Sequence, residues 1–327
     1  MASVSSMQNR FGRLVLGVLA TLAGSYVLAD EPGIEPLIVG GEPVVVQPRI
    51  VGGDTAPDGT WPFAVQITVQ LDDASGFCAG TLLDPRWVLT AAHCVSDEND
   101  DLIAASAFTV LAGTQDLGST EGTEVGVTNV YRHPDFFVST LQAPNNDIAL
   151  LELQLPVNEP TVPWVDISPP PGTMGTIIGW GYTSNESSTL SDTLQEADVP
   201  VVTNEACIAE YGSIITDAML CAGYTDQAID ACIGDSGGPL LVLVDGKWRQ
   251  AGIVSFGPPQ CAQTYGVYTR VARFSDWIRS YVRPDECVDC DDDGDDGDGG
   301  GGALGGWWFI AGLCGLAIVR RRRLCGA

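Results

Sequence analysis

The chain has 327 residues, which is enough for one folded body of about 230 residues and several shorter segments. Its hydrophobic fraction of 45% is ordinary for a globular protein, and its formal net charge of −27 disfavours contact with nucleic acid. Ten cysteines are too many for a typical cytosolic enzyme, so the composition predicts an exported protein with disulfide bonds.

The first 49 residues carry export and processing signals. Arg10 and Arg13 precede an apolar run from residue 14 to residue 28, and Ala29 ends a small-residue cleavage pattern. We predict a signal peptide over residues 1–29, because the run is short and contains glycine, which disfavours a membrane anchor. Residues 30–49 are rich in Pro, Glu and Val, lack helical periodicity and are predicted to form an extended activation propeptide.

Residues 50–284 have the pattern of a β-rich body. Near its end, Trp277 and Tyr281 lie at helical spacing, which predicts a closing helix over 275–283. Many strands with one terminal helix indicate an all-β barrel or sandwich. The strands are predicted from short apolar runs, rich in β-branched residues and separated by turn signals, for example at 63–69, 87–90, 147–153, 174–180 and 240–244.

The sequence beyond residue 284 changes character twice. Residues 285–302 are rich in Asp and Gly, bury too little apolar surface to fold, and are predicted to form an extended acidic linker. Residues 303–319 are apolar and, at about 1.5 Å per residue, reach roughly 26 Å, just short of the ~30 Å hydrocarbon core. We predict a transmembrane helix there, with the basic segment 320–327 on the cytoplasmic side.

Three segments carry the residue types of nucleophilic catalysis. His93 lies in Thr-Ala-Ala-His-Cys, Asp147 in Asn-Asn-Asp-Ile-Ala-Leu-Leu, and Ser236 in Gly-Asp-Ser-Gly-Gly-Pro. A serine hydroxyl is a weak nucleophile at neutral pH and needs an adjacent base, and histidine titrates close enough to neutrality to serve. Each motif alone is weak, but the three together, in the order His, Asp, Ser, point to one catalytic site.

In these contexts the chain resembles the chymotrypsin and trypsin family over about residues 50–283. The resemblance implies an all-β fold of two packed six-stranded antiparallel β-barrels with a C-terminal helix, separate from the transmembrane helix. It also implies a serine endopeptidase in which His93 is the general base, Asp147 orients it and Ser236 attacks the substrate. The N–H groups of Gly234 and Ser236 would form the oxyanion hole.

The same resemblance implies a primary specificity pocket for Arg or Lys. Asp230 matches the acid at the base of this pocket in trypsin-like members, where a carboxylate pairs with a guanidinium or ammonium group. Gly257 and Gly266 match glycines of the pocket wall, and Ser255 and Phe256 complete the expected substrate-binding set. Phe256 departs from the more common Trp, and two prolines follow Gly257 and remove backbone donors.

Arg49 and Ile50 match the family's activation site, which implies a zymogen. Cleavage after Arg49 by an activating protease would free the amine of Ile50, and that amine would pair with Asp235 and shape the oxyanion loop. Residues 37–41 nearly repeat the motif around Ile50, but no basic residue precedes them. We interpret this copy as a chance duplication within the propeptide.

Six cysteines take their expected pairing from the family: Cys78 with Cys94, Cys207 with Cys221, and Cys232 with Cys261. Cys287 and Cys290 remain, and their spacing suits a small local disulfide better than a redox motif or a zinc site. Loop 113–124 is similar to the calcium loop of some trypsins, but Thr114 replaces an acidic ligand, so calcium is left open. No cofactor and no metal site are predicted.

The C-terminal segments resemble the GlyGly-CTERM sorting tail of Gram-negative bacteria. The likeness lies in the glycines at 301, 302, 305 and 306, the apolar segment and the arginine run 320–323. It implies export to the cell surface or the medium, with the type II secretion machinery and a tail-removing intramembrane protease as partners. The alternative is a permanent single-span anchor that keeps membrane contact.

Two other classes compete with a secreted endopeptidase that cuts proteins or peptides after Arg or Lys. One is a catalytically inactive binding protein on the trypsin fold, tethered to the cell surface. Against it, no triad or oxyanion position is substituted. The other is a membrane-tethered structural protein, for which the tail is the only support.

Overall fold

The computed structural model describes residues 38–39, 42–43, 50–71, 75–141, 143–184, 189–258 and 260–282. The chain divides into two units, Met1–Pro48 and Arg49–Ala327. Within the first unit, β1 (Ile38–Val39) pairs antiparallel with β2 (Glu42–Pro43). This hairpin falls in the predicted propeptide, at the near copy of the activation motif.

The first half of the second unit contains a closed barrel. In one of its strands the alternate residues Phe108, Val110 and Ala112 are buried between partly exposed neighbours, which is the side-chain period of a strand with one face on a core. The strands of this half are β3 (Asp54–Thr55), β4 (Ala64–Gln70), β5 (Ser75–Asp84), β6 (Trp87–Thr90), β7 (Phe108–Ala112), β8 (Thr123–Arg132), β9 (Phe137–Val138), β10 (Pro144–Asn145) and β11 (Ala149–Leu153). Six of them close in the order β11-β6-β5-β4-β7-β8, so the first expected six-stranded barrel is present.

The second half differs from the closed six-stranded barrel that was predicted for it. Its strands are β12 (Met174–Gly179), β13 (Gln195–Pro200), β14 (Met219–Ala222), β15 (Pro239–Val244), β16 (Lys247–Phe256) and β17 (Gly266–Arg270). With β3 they form a seven-stranded sheet in the order β14-β17-β16-β15-β12-β13-β3. Past the end of β13, one isolated antiparallel bridge joins Val201 to Ala222 of β14. Pro200 ends β13 and has no N–H to continue a ladder there.

Two α-helices, α1 and α2, complete the body. α1 begins where the hydroxyl of Thr203 accepts a hydrogen bond from the N–H of Ala206 (3.1 Å). α2 is the predicted closing helix; it buries Ile278, and its Tyr281 lies against Tyr131 of β8 with ring centroids 4.5 Å apart. The end of the body is therefore fastened to the first barrel. The helices are α1 (Asn204–Tyr211), α2 (Ser275–Tyr281) and four short 3-10 helices, His93–Val95, Ala105–Ala107, Gly212–Ile214 and Val271–Phe274.

The structure contains the three disulfides that the family resemblance implies, Cys78–Cys94, Cys207–Cys221 and Cys232–Cys261. The first fastens β5 to the 3-10 helix that begins at His93. The second joins α1 to β14, and the third joins the segment before β15 to the segment before β17. Cys287 and Cys290 lie outside the described residues.

Several predicted segments fall outside the described ranges. They are the signal peptide, Arg49, the acidic linker, the transmembrane segment and the basic tail. Within the ranges that the structure describes, no helix is long and apolar enough to cross a membrane.

The start of the body is held in an apolar cluster of its own. Ile50 is fully buried and belongs to a cluster with Ile177 of β12 and Leu240 of β15. Burial of such a side chain contributes about 1.5–3 kcal/mol. The segment that follows the predicted activation cleavage is therefore part of the core, and it leads directly to the candidate site.

Candidate active site

His93 and Asp147 are brought together by the pairing of two barrel strands. Thr90 at the end of β6 and Ala149 at the start of β11 are direct partners in the antiparallel ladder, so the flanking residues meet at one end of the barrel. Oδ1 of Asp147 accepts the backbone N–H of His93 at 2.8 Å, and Oδ2 lies 2.7 Å from Nδ1 of the imidazole. A proton on Nδ1 is thereby held by the carboxylate, which leaves Nε2 to act as the base.

Asp147 is also bound to the second half of the body. Its side chain is buried, and Oδ2 accepts a second hydrogen bond from the hydroxyl of Ser255 in β16 at 2.6 Å. Its backbone carbonyl accepts the hydroxyl of Thr269 in β17, also at 2.6 Å. Sequence analysis placed Ser255 in the substrate-binding set. The structure shows that its hydroxyl is committed to the aspartate, although the residue also lines the adjoining cavity.

The charges of this pair stabilise each other. Burial lowers the pKa of His93, but the charge of Asp147 and the hydrogen bond to it together raise the pKa above its ordinary value of 6.5. Burial raises the pKa of Asp147, but His93 and the hydroxyl of Ser255 lower it below 3.8. Asp147 is therefore ionised at neutral pH, and the neutral imidazole that a base requires is lost as the pH falls through the raised pKa of His93.

Backbone contacts hold the Ser236 loop against β5, the strand that a disulfide joins to the 3-10 helix of His93. The carbonyl of Ser236 accepts the N–H of Ala79 at 2.8 Å, and Ala79 follows Cys78, whose disulfide partner follows His93. Gly237 has φ +81°, and a Cβ there would lie 2.4 Å from the carbonyl oxygen of Ala79. In the described residues Ser236 Oγ and Nε2 of His93 form no hydrogen bond, a contact that in many such enzymes tightens only around the substrate.

The loop before Ser236 presents two unpaired N–H groups. Neither the N–H of Gly234 nor that of Ser236 donates to an acceptor within the part of the chain that the structure describes. Gly234 has φ +97°, and a Cβ there would lie 2.4 Å from Cδ2 of Leu190, so only glycine fits without displacement. Two such donors beside a nucleophile are the arrangement that stabilises a developing oxyanion.

A cavity of about 280 Å³ opens beside Ser236 and has Asp230 at its base. Asp230 is 1% exposed. A Cβ on Gly266 would lie 2.5 Å from Oδ1 of Asp230, and one on Gly257 would lie 3.7 Å from Oδ2, so these two glycines leave the carboxylate open to the cavity. The predicted residues Ser255, Phe256, Gly257 and Gly266 all line the cavity, together with Ile233 and Pro258, which were not predicted.

Asp230 has no cationic partner among the described residues. Oδ1 accepts the N–H of Ala231 at 2.8 Å, and the hydroxyl of Tyr268 lies 3.5 Å away. Burial raises the pKa of Asp230 to about 7, and the negative charge of Asp235 adds to this effect. A cation that entered the cavity would stabilise the ionised carboxylate and would lower this pKa.

A sequence profile described as trypsin matches residues 50–278, which is 229 of the 327 residues. The chain belongs to the trypsin family. Membership supports a serine endopeptidase that acts on protein substrates, and the closed barrel and the closing helix agree with it. The matched range includes His93, Asp147 and Ser236, and it begins at Ile50.

The start of the trypsin-family body contacts the segment that carries Asp230. The N–H of Asp230 donates to the carbonyl of Val51 at 3.2 Å. Gly52 has φ +74°, and a Cβ there would lie 2.3 Å from the carbonyl oxygen of Ala228, so a side chain does not fit. Val51 and Gly52 therefore pack directly against the segment that carries Asp230.

The carboxylate of Asp235 is buried and faces backbone donors. It accepts the N–H of Gly181 at 2.7 Å and the N–H of Cys232 at 2.9 Å. Burial raises the pKa of Asp235 to about 6, and the two hydrogen bonds counter this only in part. Like Asp230, Asp235 is a buried acid that a nearby cation would stabilise.

Three contributors to the site were missed by sequence analysis. Thr269 fixes the backbone of Asp147, Gly181 donates to Asp235, and Ala79 fixes the backbone of Ser236. Each acts through one hydrogen bond across a long sequence separation, and none lies in a motif with a recognisable spacing. Only the folded structure shows that they are neighbours of the site residues.

The described residues contain one group of potential metal ligands with suitable spacing, Cys78, His93 and Cys94. Both sulfurs of this group are joined in a disulfide, and His93 is bound to Asp147, so the group does not fit a metal. In loop 113–124 the hydroxyl of Thr114 donates to the carbonyl of Asp116 at 2.9 Å. The hydroxyl that replaces the acidic calcium ligand is therefore used within the loop itself.

Replacement of Thr269 by Val should lower kcat and leave KM unchanged. The substitution keeps the shape of the side chain but leaves the carbonyl of Asp147 without this donor, at a cost of about 1–3 kcal/mol. Because Thr269 does not line the cavity, we expect the loss in kcat and not in KM. If the whole cost reaches the transition state, kcat should fall roughly 5- to 160-fold.

Steady-state kinetics across pH 5–9 and urea unfolding would measure these effects. Thr269→Ser keeps the hydroxyl and should recover most of kcat. A rise in KM with unchanged kcat would show that Thr269 does not position Asp147.

Proposed function

We propose that the chain is an exported, zymogen-derived serine endopeptidase that cuts protein substrates after Arg or Lys. The observation that carries the proposal is the buried carboxylate of Asp230 at the base of a cavity that opens beside Ser236. A cavity of about 280 Å³ accommodates one long side chain. An acid without a cationic partner at its base favours a guanidinium or ammonium group over an apolar one.

The proposed reaction uses the site as follows. Ser236 Oγ attacks the carbonyl carbon of the residue whose side chain fills the cavity, and its proton passes to Nε2 of His93. The resulting oxyanion accepts the N–H groups of Gly234 and Ser236. His93 then protonates the leaving amine, and the acyl-enzyme forms. Water, deprotonated by His93, releases the acid product and restores the serine.

Activation is proposed to follow cleavage between Arg49 and Ile50. The new amine of Ile50 would be a cation close to the buried core, and Asp235 is the buried acid suited to pair with it. The side chain of Ile50 already occupies its apolar cluster, and Gly52 and Gly53 accept the close packing that the docked segment requires. Activation therefore requires cleavage by a protease with specificity for Arg.

The alternative is a trypsin-family binding protein without activity. Such proteins need only the fold, whereas here the hydrogen bonds from His93, Ser255 and Thr269 to Asp147 are all present. Two unpaired N–H groups beside Ser236 would also have no use in a binding protein. These observations favour the enzyme.

Labelling with an organophosphate should distinguish the two. After cleavage at Arg49, we expect one phosphoryl group per chain on Ser236, because only an activated serine reacts rapidly. Intact mass and peptide mapping would measure it. Ser236→Ala should remain unlabelled, and Arg49→Gln should stay an unlabelled zymogen. A correctly processed protein that takes no label would favour the binding protein.

Replacement of Asp230 by Ser should remove the preference for Arg and Lys. Loss of one partner of a buried ion pair costs about 3–5 kcal/mol, or roughly 10²- to 10⁴-fold in kcat/KM for Arg substrates. Hydrolysis after apolar residues should fall far less. A peptide library cleaved by both forms would measure the change, and an unaltered profile would contradict the role of Asp230.

The same acid predicts a pH dependence of binding. Because the pKa of free Asp230 is about 7, affinity for an alkylguanidinium should be complete above that pH and should fall as the pH drops through it. Calorimetry on Ser236→Ala between pH 5 and 8 would follow this, with Asp230→Ser as the control that shows little pH dependence.

Export and sorting belong to the same proposal. The predicted signal peptide and the GlyGly-CTERM-like tail support secretion by a Gram-negative bacterium, with removal of the tail by an intramembrane protease. The intact mass of the released protein should lack residues 320–323. Replacement of Gly305 and Gly306 by Leu should retain the chain in the membrane fraction. Released protein that keeps the arginine run would contradict tail removal.

A further inference from the structure

The folded body is poor in the residues that its own cavity is proposed to accept. Residues 50–85 and 133–246 contain no Lys or Arg, and the second stretch includes the loops that carry Asp147, Asp230 and Ser236. The described part of the body therefore offers seven bonds to a protease of this specificity. They follow Arg86, Arg132, Lys247, Arg249, Arg270, Arg273 and Arg279.

Two of these bonds lie at the ends of first-barrel strands and are fixed by backbone hydrogen bonds. The carbonyl of Arg86 accepts the N–H of Leu153 at 2.9 Å, and the next residue begins β6. Arg132 ends β8, and the N–H of the following residue, His133, donates to Ile148 at 3.1 Å. The guanidinium of Arg132 is held as well, at 2.7 Å from the hydroxyl of Ser96.

Three bonds lie in the second sheet. Lys247 and Arg249 are both in β16 and pair with β15, opposite Val244 and Val242. Arg270 ends β17, where its N–H donates to the carbonyl of Ala218 at 2.8 Å. Its guanidinium is half-buried and donates to Asn204 and to the carbonyl of Met219.

The last two bonds lie in helices. Arg273 is in the 3-10 helix Val271–Phe274 and precedes the buried ring of Phe274. Arg279 is in α2, and its guanidinium donates to Asp166 and lies over the ring of Trp164, 5.8 Å from the centroid. Neither backbone is extended.

A substrate must lie extended in the cleft with its carbonyl on the oxyanion donors. Six of the seven residues would first have to leave a strand ladder or a helix. Arg86 lies in the turn between β5 and β6 and would have to give up its backbone hydrogen bonds to Leu153 and Asp84, so cleavage at any of the seven requires local unfolding. We propose that the folded body is not a substrate for a second copy of this chain, so that cleavage between copies is confined to the segments outside residues 50–282. The inference rests on the proposed Arg and Lys specificity.

If a second copy cuts only outside residues 50–282, few bonds are open to it. Outside the body, Arg or Lys occurs at Arg10, Arg13, Arg49, Arg283 and the run 320–323, and Arg283 precedes a proline. Self-processing would therefore trim the ends of the chain and leave the catalytic body whole. Among the sites in strands and helices, Lys247 is the least restrained, because it is exposed and pairs on one side only.

The test uses the full chain with Ser236→Ala as a substrate that cannot cut itself. It is incubated with a catalytic amount of activated wild-type protein and, separately, with pancreatic trypsin, and fragments are identified by intact mass. We expect residues 50–282 to stay intact with both enzymes. After reduction and denaturation, trypsin should cut at all seven positions. A cut in the folded body after any of them would overturn the proposal.

An introduced site provides the matched control. Leu141 is 68% exposed at the tip of the β9–β10 hairpin, between Ser139 and Ala143, whose backbones are paired. Leu141→Arg in the Ser236→Ala chain should be cut within the time that leaves the parent intact, and Leu141→Gln should not. No disulfide joins the two products, so they separate on a gel. An uncut Leu141→Arg chain would overturn the proposal that strand and helix pairing is what protects the body.

Comparison of the activated wild-type protein with trypsin distinguishes failure of the proposed specificity from failure of the proposed protection of the body. If trypsin cuts Leu141→Arg but the wild-type protein does not, the proposed specificity is wrong while the protection of the body stands. If either enzyme cuts the parent body, the protection is wrong whatever the specificity.

Discussion

The buried carboxylate of Asp147 is the point on which both halves of the body converge. Asp147 comes from the first barrel, where strand pairing sets it beside His93. Its carboxylate accepts the hydroxyl of Ser255 in β16, and its backbone carbonyl accepts the hydroxyl of Thr269 in β17 of the second sheet. A buried charge without partners would be strongly destabilising. The two halves are therefore packed in the one arrangement that supplies its donors, and that arrangement also sets the imidazole.

Three buried carboxylates in this body are stabilised in different ways. Asp147 has a permanent partner, and its pKa is lowered. Among the described residues, Asp230 and Asp235 have backbone donors but no cationic partner, and burial raises their pKa values to about 7 and about 6. In the proposed enzyme, the cation that pairs with Asp230 is the side chain of the substrate. The cation that pairs with Asp235 is the freed amine of Ile50. In this proposal, the two acids without a cationic partner are the groups that decide specificity and activation.

Much of this was predictable from the sequence because the motifs are local. His93, Asp147 and Ser236 each lie in a short recognisable context. Strand-length apolar runs predict an all-β barrel or sandwich, and the spacing of Trp277 and Tyr281 predicts α2. The disulfides followed only from the family resemblance. Thr269 and Ala79 were missed, since a single hydrogen bond over a long separation leaves no pattern in the sequence. The addition of β3 to the second sheet was also missed, because its two residues are polar and exposed and therefore carry no strand signal.

The hydrogen bond from Asp230 to Val51 couples two events that are otherwise separate. It joins the base of the cavity to the segment that follows the proposed activation cleavage, so a gain in order at either place is shared with the other. Thermodynamic coupling of this kind is reciprocal. In the proposed enzyme, a basic side chain in the cavity would favour insertion of the segment that starts at Ile50 by the same factor by which insertion would favour binding of that side chain.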